Sequence, residues 1–218
     1  MARHKAAPMS QPTPAHPPAL DVPRLLRRPP PLVLLLAAAS VIIQLFPAWR
    51  SALLYDRAGI AGGEFWRIWT GHLVHFGWAH LFVDAGLLLI VGWIAENQHP
   101  RFTRIGIVVM PAFISGCMFW LEPEMTRYGG LSAFNLGVLL YIAAQGWRRD
   151  WSDWFWPAVI AIYVGEIIFE YYRGGQGGGA IRFDDPHVRV ATGAHLAAAA
   201  YVVGALLAAR IGRRQGPV

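Results

Sequence analysis

Seven polar or ionisable side chains fall inside or at the heads of long apolar stretches: His80, Asp84, Ser132, Asn135, Glu166, Glu170 and His195. Such groups are costly in hydrocarbon, so each is a candidate for function. Ser132 stands in Gly129-Gly130-Leu131-Ser132-Ala133, where glycine permits a tight turn and a close backbone approach as an apolar run begins. A serine hydroxyl becomes a competent nucleophile once an imidazole accepts its proton, and serine with histidine can form a dyad without a third carboxylate. His195 follows Thr192-Gly193-Ala194 and precedes a run rich in alanine, whose small side chains let a second helix come close. Both residues also have plain structural uses: serine is a favoured helix N-cap, and a buried histidine is satisfied by a main-chain carbonyl.

His80 and Asp84 are four residues apart and share one helix face. Facing Ser132, His80 can donate to a developing oxyanion beside the Gly130 backbone, while His75 in the preceding loop tethers that loop. The rival chemistry is a metal site built from His72, His75, His80 and Asp84, although no HExxH pair accompanies them. The run Gly174-Gly175-Gln176-Gly177-Gly178-Gly179 lacks the GK[ST] ending of a phosphate-binding loop and reads as a flexible connection. No metal, nucleotide or other cofactor is therefore expected. Glu166 and Glu170 share a helix face; Glu170 reads as solvated at a helix end, and the deeper Glu166 as paired with an arginine or lining water. Asp84, Glu166 and Glu170 together would suit a proton or cation path, but no internal repeat of the transporter kind accompanies them.

The elements that position these groups are membrane helices. With 55% hydrophobic residues, 15% charged and a mean hydropathy of +0.37, the 218-residue chain carries more apolar surface than a soluble core can hide. Ten Trp and seven Tyr fit the boundary between hydrocarbon and headgroups. The apolar runs predict six spans: Pro31 to about Trp49, Ala79 to about Ala95, Phe102 to Leu121, Leu131 to Trp147, Trp154 to Tyr172, and Thr192 to about Ile211. The first run also has features of a signal peptide, with Ala37-Ala38-Ala39-Ser40 as a small-residue region, but it continues through Phe46 toward spanning length. The net charge of +6 comes from short basic clusters at span edges, which suits membrane orientation rather than nucleic acid. Arg24, Arg27, Arg28, Arg101, Arg104, Arg148, Arg149, Arg210, Arg213 and Arg214 place both termini in the cytoplasm by the positive-inside rule. Residues 1–30, rich in proline and alanine, form a disordered tail, 31–212 the membrane domain and 213–218 a short second tail. The long loop Arg50 to Trp78 should lie in the membrane interface, and Cys117 is a packed thiol.

The arrangement resembles the rhomboid family of intramembrane serine proteases. Glu64-Phe65-Trp66-Arg67-Ile68-Trp69-Thr70 is similar to the family's WR element, and His75, His80 and Asp84 to its HxxxxHxxxN pattern. Gly130-Leu131-Ser132-Ala133 resembles GxSG, and Gly193-Ala194-His195-Leu196-Ala197 resembles the GAHxxG stretch of the last helix. The resemblance implies an all-α, six-helix bundle of the bacterial form in the bacterial inner membrane. It implies Ser132 as nucleophile and His195 as general base, with His80 and the Ser132 amide at the oxyanion, His75 structural, and Trp66 and Arg67 supporting the loop. The stretch Thr70 to His80 with Gly130-Leu131-Ser132 is particularly similar to rhombosortases, a bacterial subgroup proposed to process proteins with a C-terminal Gly-Gly sorting segment.

Three departures bear on this reading. Asp84 stands where the family usually has Asn; an ionised carboxylate repels an oxyanion, so Asp84 must be neutral or turned elsewhere. Ala133 replaces the second glycine of GxSG, and Ala198 and Val202 replace glycines of the last helix, so Val202 needs a small residue opposite it for the helices to close up. The expected function is cleavage of single-pass membrane substrates within the bilayer; the alternative is a catalytically weak or inactive rhomboid-like protein that binds membrane clients.

Overall fold

A computed structural model describes residues 28–173 and 191–214. The expected N-terminal tail up to residue 27, the glycine-rich loop at 174–190 and the C-terminal residues 215–218 lie outside the described residues. Helix α1 (Pro31–Leu45) begins with proline at its first position, where the missing N–H is no loss and the fixed φ suits a helix. Glu96 accepts hydrogen bonds from the Leu32 and Val33 amides at 3.1 and 2.9 Å, satisfying two of the unpaired N–H groups at that end. The expected single span to Trp49 is corrected by Pro47. The chain leaves α1 in extended conformation at Phe46 and turns through 117° into α2 (Pro47–Leu53), because the residue before proline is pushed out of the α region.

A two-residue strand β1 (Tyr55–Asp56) and a short helix α3 (Arg57–Ala61) follow. Helix α4 (Arg67–Thr70) then leads through a tight 3₁₀ turn, Gly71–Leu73, into α5 (Trp78–Gln98), which contains one wide turn at Leu88–Gly92. Then come α6 (Pro100–Leu121), β2 (Arg127–Tyr128), α7 (Ser132–Arg149), α8 (Phe155–Tyr172) and α9 (Thr192–Arg214). The all-α expectation holds apart from the small ribbon β1–β2, antiparallel with Tyr55 opposite Tyr128 and Asp56 opposite Arg127.

Among the described residues, α5, α6, α8 and α9 are long and apolar enough to cross a membrane, and α1 with α2 makes a fifth candidate if that bent pair is one span. Helix α7 is not among them. It has 18 residues but sits in the middle of the bundle, packed against α5, α6, α8 and α9. A helix surrounded by protein has less need of lipid-soluble side chains, which is why α7 carries Asn135, Gly137 and Gln145. Helix α8 shows the opposite: Tyr163 alone among its residues is buried, and Ile162, Val164, Ile168 and Phe169 are exposed, as suits a face turned to lipid. The molecule is a multi-pass membrane protein whose core gathers Leu88, Met110, Ile114, Val138, Ala194 and Ala198 between α5, α6, α7 and α9.

The segment between α2 and α5 is fastened at both ends. The last carbonyls of α2, which lack intrahelical partners, are taken up in turn. Arg67 Nη1 donates to Ser51 O at 3.0 Å and Leu54 O at 2.7 Å, Trp66 Nε1 to Ala52 O at 3.2 Å, and Thr70 Oγ1 to Leu53 O at 2.7 Å. Glu64 pairs with Arg67 Nε and holds the guanidinium in place. Arg67→Lys is expected to destabilise the detergent-purified protein by about 1–3 kcal/mol in thermal unfolding, since a single ammonium cannot span Glu64 and two carbonyls; an unchanged midpoint would show the fork to be dispensable.

On its other side the segment is pinned to α6: Trp69 Nε1 donates to Val108 O at 2.8 Å, and Ser115 Oγ to Ile68 O at 2.8 Å. His72 Nε2 lies 3.1 Å from Ser115 Oγ and 3.2 Å from Pro111 O, so it carries the proton. Complete burial pushes the His72 imidazole down to about 4. The unfolded chain binds this proton near pH 6.5, so the folded state keeps its full stability above that pH and loses it as pH falls toward 4. The loss from this group is on the order of 3 kcal/mol. Melting temperature should drop between pH 6.5 and 4.5, and His72→Gln should flatten that slope; an equal slope in both proteins would assign the dependence to other groups.

Candidate active site

The loop before α7 is built by three neighbours. The β1–β2 ribbon delivers Tyr128, whose ring meets Tyr55 and His72 edge-on at 6.3 and 5.2 Å, and whose hydroxyl donates to Gly130 O at 3.2 Å. Gly130 has φ +119°, a conformation in which a side chain is strained, and a Cβ there would lie 2.7 Å from His80 Nε2 and 3.1 Å from Asp84 Oδ2. Both reasons demand glycine. The backbone then enters α7 with Leu131 in the N-cap position and Ser132 as the first helical residue, its hydroxyl set against His195. The N-cap role for Ser132 is therefore excluded.

Asp84 organises the floor of this turn. Its Oδ2 accepts the Leu131 amide hydrogen bond at 2.7 Å and lies 3.2 Å from both His75 Nε2 and His80 Nε2. Asn135 Nδ2 donates to the Asp84 main-chain oxygen at 2.8 Å, tying α7 to α5. His80 Nδ1 accepts the Phe76 amide at 3.3 Å, which leaves the ring hydrogen on Nε2, toward Asp84. His75 Nδ1 lies 3.1 Å from Leu73 O, and its ring meets His80 edge-on at 5.0 Å. Asp84 is thus turned onto an amide and two imidazoles, which is the second of the two conditions its presence demanded. Of the four groups weighed as metal ligands, His72 is directed at α6 instead, and among the described residues no three His, Cys, Asp or Glu side chains are placed to hold an ion.

Across the turn, α9 brings His195, buried at 3% exposure, with Nε2 3.2 Å from Ser132 Oγ. The helices come this close because the missing glycine of α9 is supplied by α7: a Cβ on Gly137 would lie 3.3 Å from Ala198 Cβ and 2.8 Å from Met110 Sδ. Ala198 and Val202 are fully buried in that packing, so Val202 does not hold the helices apart. Helix α8 also reaches the site. Tyr163 Oη donates to the His195 main-chain oxygen at 2.9 Å, and Glu170 Oε2 lies 2.7 Å from His195 Nδ1.

The reading of Glu170 as a solvated helix end is thus corrected: its side chain is only 10% exposed and is paired. Glu166 is exposed and, among the described residues, has no hydrogen-bond or ion-pair partner, so the arginine pairing is not formed there. The seven-residue interval between Tyr163 and Glu170, two helical turns, was the available sign that both face one neighbour.

A serine at a glycine turn, an imidazole on its hydroxyl and a loop bound to the bundle by Trp66 and Arg67 are arranged in the order of the resemblance drawn above. The rhomboid domain model matches residues 62–214. The chain belongs to the rhomboid family. The match takes in every residue of this site, from Glu64 to His195. A rhomboid relative named Inactive RHOMBOID-like protein 8, from Arabidopsis thaliana, is 32% identical over 89 residues, a stretch covering 39% of this chain and 25% of that protein. Family membership thus establishes an intramembrane-protease type of fold in a lipid bilayer, with the four polar positions Ser132, His195, His80 and Asp84 brought together at the heads of α7, α9 and α5.

Proposed function

We propose that this rhomboid is an intramembrane serine endopeptidase that cleaves single-pass membrane proteins through Ser132 and His195. The observation that carries the reading is the 3.2 Å approach of His195 Nε2 to Ser132 Oγ, with the hydroxyl free of any capping role. His195 accepts the Ser132 proton as Oγ attacks the scissile carbonyl, then returns it to the leaving amine; water hydrolyses the acyl-enzyme by the same relay. The developing oxyanion is stabilised by the Ser132 amide at the head of α7, where N–H groups lack intrahelical acceptors; His80, whose Nε2 hydrogen points to Asp84, supports the Gly130 turn from beneath instead of donating to the oxyanion as expected from the sequence. No metal, nucleotide or other cofactor enters the cycle. By the positive-inside argument and the similarity to rhombosortases, the protein works in a bacterial inner membrane with both termini cytoplasmic, on substrates presented from the opposite side.

A second reading is favoured by Asp84 in the place of the usual Asn and by the name of the Arabidopsis relative, which describes that protein as inactive. In that reading the fold binds membrane clients without cutting them. Fluorescent fluorophosphonate labelling of the detergent-purified protein separates the two. Labelling that Ser132→Ala abolishes supports the protease; a folded wild type that takes no label favours the binder.

A further inference from the structure

We propose that Glu170 is a positioning residue that turns the Ser132–His195 pair into a Ser–His–Glu triad; this rests on the protease reading above. A dyad histidine is free to hold its hydrogen on either ring nitrogen, and the tautomer with hydrogen on Nε2 cannot accept the serine proton. Here α8 removes that freedom. Glu170 Oε2 stands 2.7 Å from Nδ1, on the side of the ring opposite Ser132, and an ionised carboxylate only accepts, so Nδ1 carries the hydrogen and Nε2 presents its lone pair to Oγ. When the proton arrives on Nε2, the imidazolium lies against the carboxylate in a nearly water-free setting: the His195 and Glu170 side chains are 4% and 10% exposed.

Helix α8 holds the same residue a second time, through Tyr163 Oη on the His195 carbonyl, two turns away on the same face. Among the described residues, both polar contacts of α8 with α9 thus fall on one histidine. The titratable groups that neighbouring elements bring toward His195 are Glu170 and Tyr163 from α8 and Glu122, after the end of α6, which stands against Gly193. Among these, Glu170 alone reaches the ring.

The test uses full-length protein in detergent, with ¹⁵N-labelled histidine and His195→Asn to assign the resonances. In wild type the His195 signals should show hydrogen on Nδ1 and a bare Nε2. In Glu170→Gln, whose amide can donate to Nδ1, the hydrogen should move to Nε2, and fluorophosphonate labelling should slow on the order of 10²- to 10⁴-fold at unchanged apparent probe affinity. Glu170→Asp, one methylene short but still a carboxylate, should keep the wild-type tautomer and recover part of the rate. Glu166→Gln, the same charge change one turn earlier on an exposed site, should stay within about twofold of wild type. An unchanged tautomer in Glu170→Gln, or a labelling rate equal to wild type, overturns the proposal. A tautomer that responds in a wild type that takes no label supports the role of Glu170 in orienting His195 and overturns the protease reading instead.

Discussion

His195→Ala is expected to lower the rate of fluorophosphonate labelling at Ser132 by about 10⁴-fold or more, to the level of Ser132→Ala. The size follows from the chemistry. Without an acceptor at 3.2 Å the hydroxyl has nowhere to send its proton, and among the described residues no second base stands against it: His80 is committed to Asp84 and the Phe76 amide, His75 lies against Leu73 O and Asp84, and His72 is directed to α6. Because the two residues act as one unit, the double variant should be no slower than either single one. His195→Ala also leaves Glu170 without its partner, so thermal unfolding must accompany the kinetics; His195→Asn, which keeps a donor for the carboxylate, serves where the alanine variant folds poorly. Labelling that persists in a folded His195→Asn protein would remove the base from its assigned role.

Gly130→Ala is expected to reduce labelling at least 100-fold and to destabilise the protein by about 3 kcal/mol or more. One methyl group meets two obstacles at once. The φ of +119° is strained for any residue with a side chain, and the methyl carbon would lie 2.7 Å from His80 Nε2 and 2.8 Å from His80 Cε1. Relief by moving His80 separates it from Asp84, whose carboxylate also holds the Leu131 amide beside Ser132. Relief by moving the turn withdraws the Ser132 amide from the place proposed for the oxyanion. Either way catalysis and stability fall together, whereas Ala133→Gly, on the helix side of Ser132, should cost little more than the helix propensity of about 1 kcal/mol. A Gly130→Ala protein that labels at the wild-type rate would show that this turn does not set the nucleophile.

Several features of the molecule can be read directly from its residues, and each is local or compositional. Apolar runs announce membrane helices because lipid is a uniform solvent and span length is a simple requirement, and α5, α6, α8 and α9 answer to it. The sequence neighbours of Ser132 and His195 carry their own explanation, glycines for a turn and alanines for a close helix, and the two residues do meet. Arg67 and Trp66 are marked in the same way, as polar groups set in an interfacial loop.

What tertiary structure alone decides is which polar group faces which. Pro47 can break or merely start a helix, and the 117° turn at Phe46 depends on how α2 is held by Arg67, Trp66 and Thr70. Asp84, suspect in sequence because a carboxylate opposes an oxyanion, is directed to the Leu131 amide of another segment and to the Nε2 hydrogen of His80, so its charge meets donors. Ala198, standing where a glycine was expected, is accommodated because the bundle takes its small residue from Gly137 of α7 rather than from α9 itself. Glu170 looks like a solvated helix end until α9 places His195 against it, 25 residues further along the chain. The physical reason is common to all four: the cost of a charged or bulky group is set by the partner that meets it, and partners from distant helices are chosen by packing, which no local pattern records.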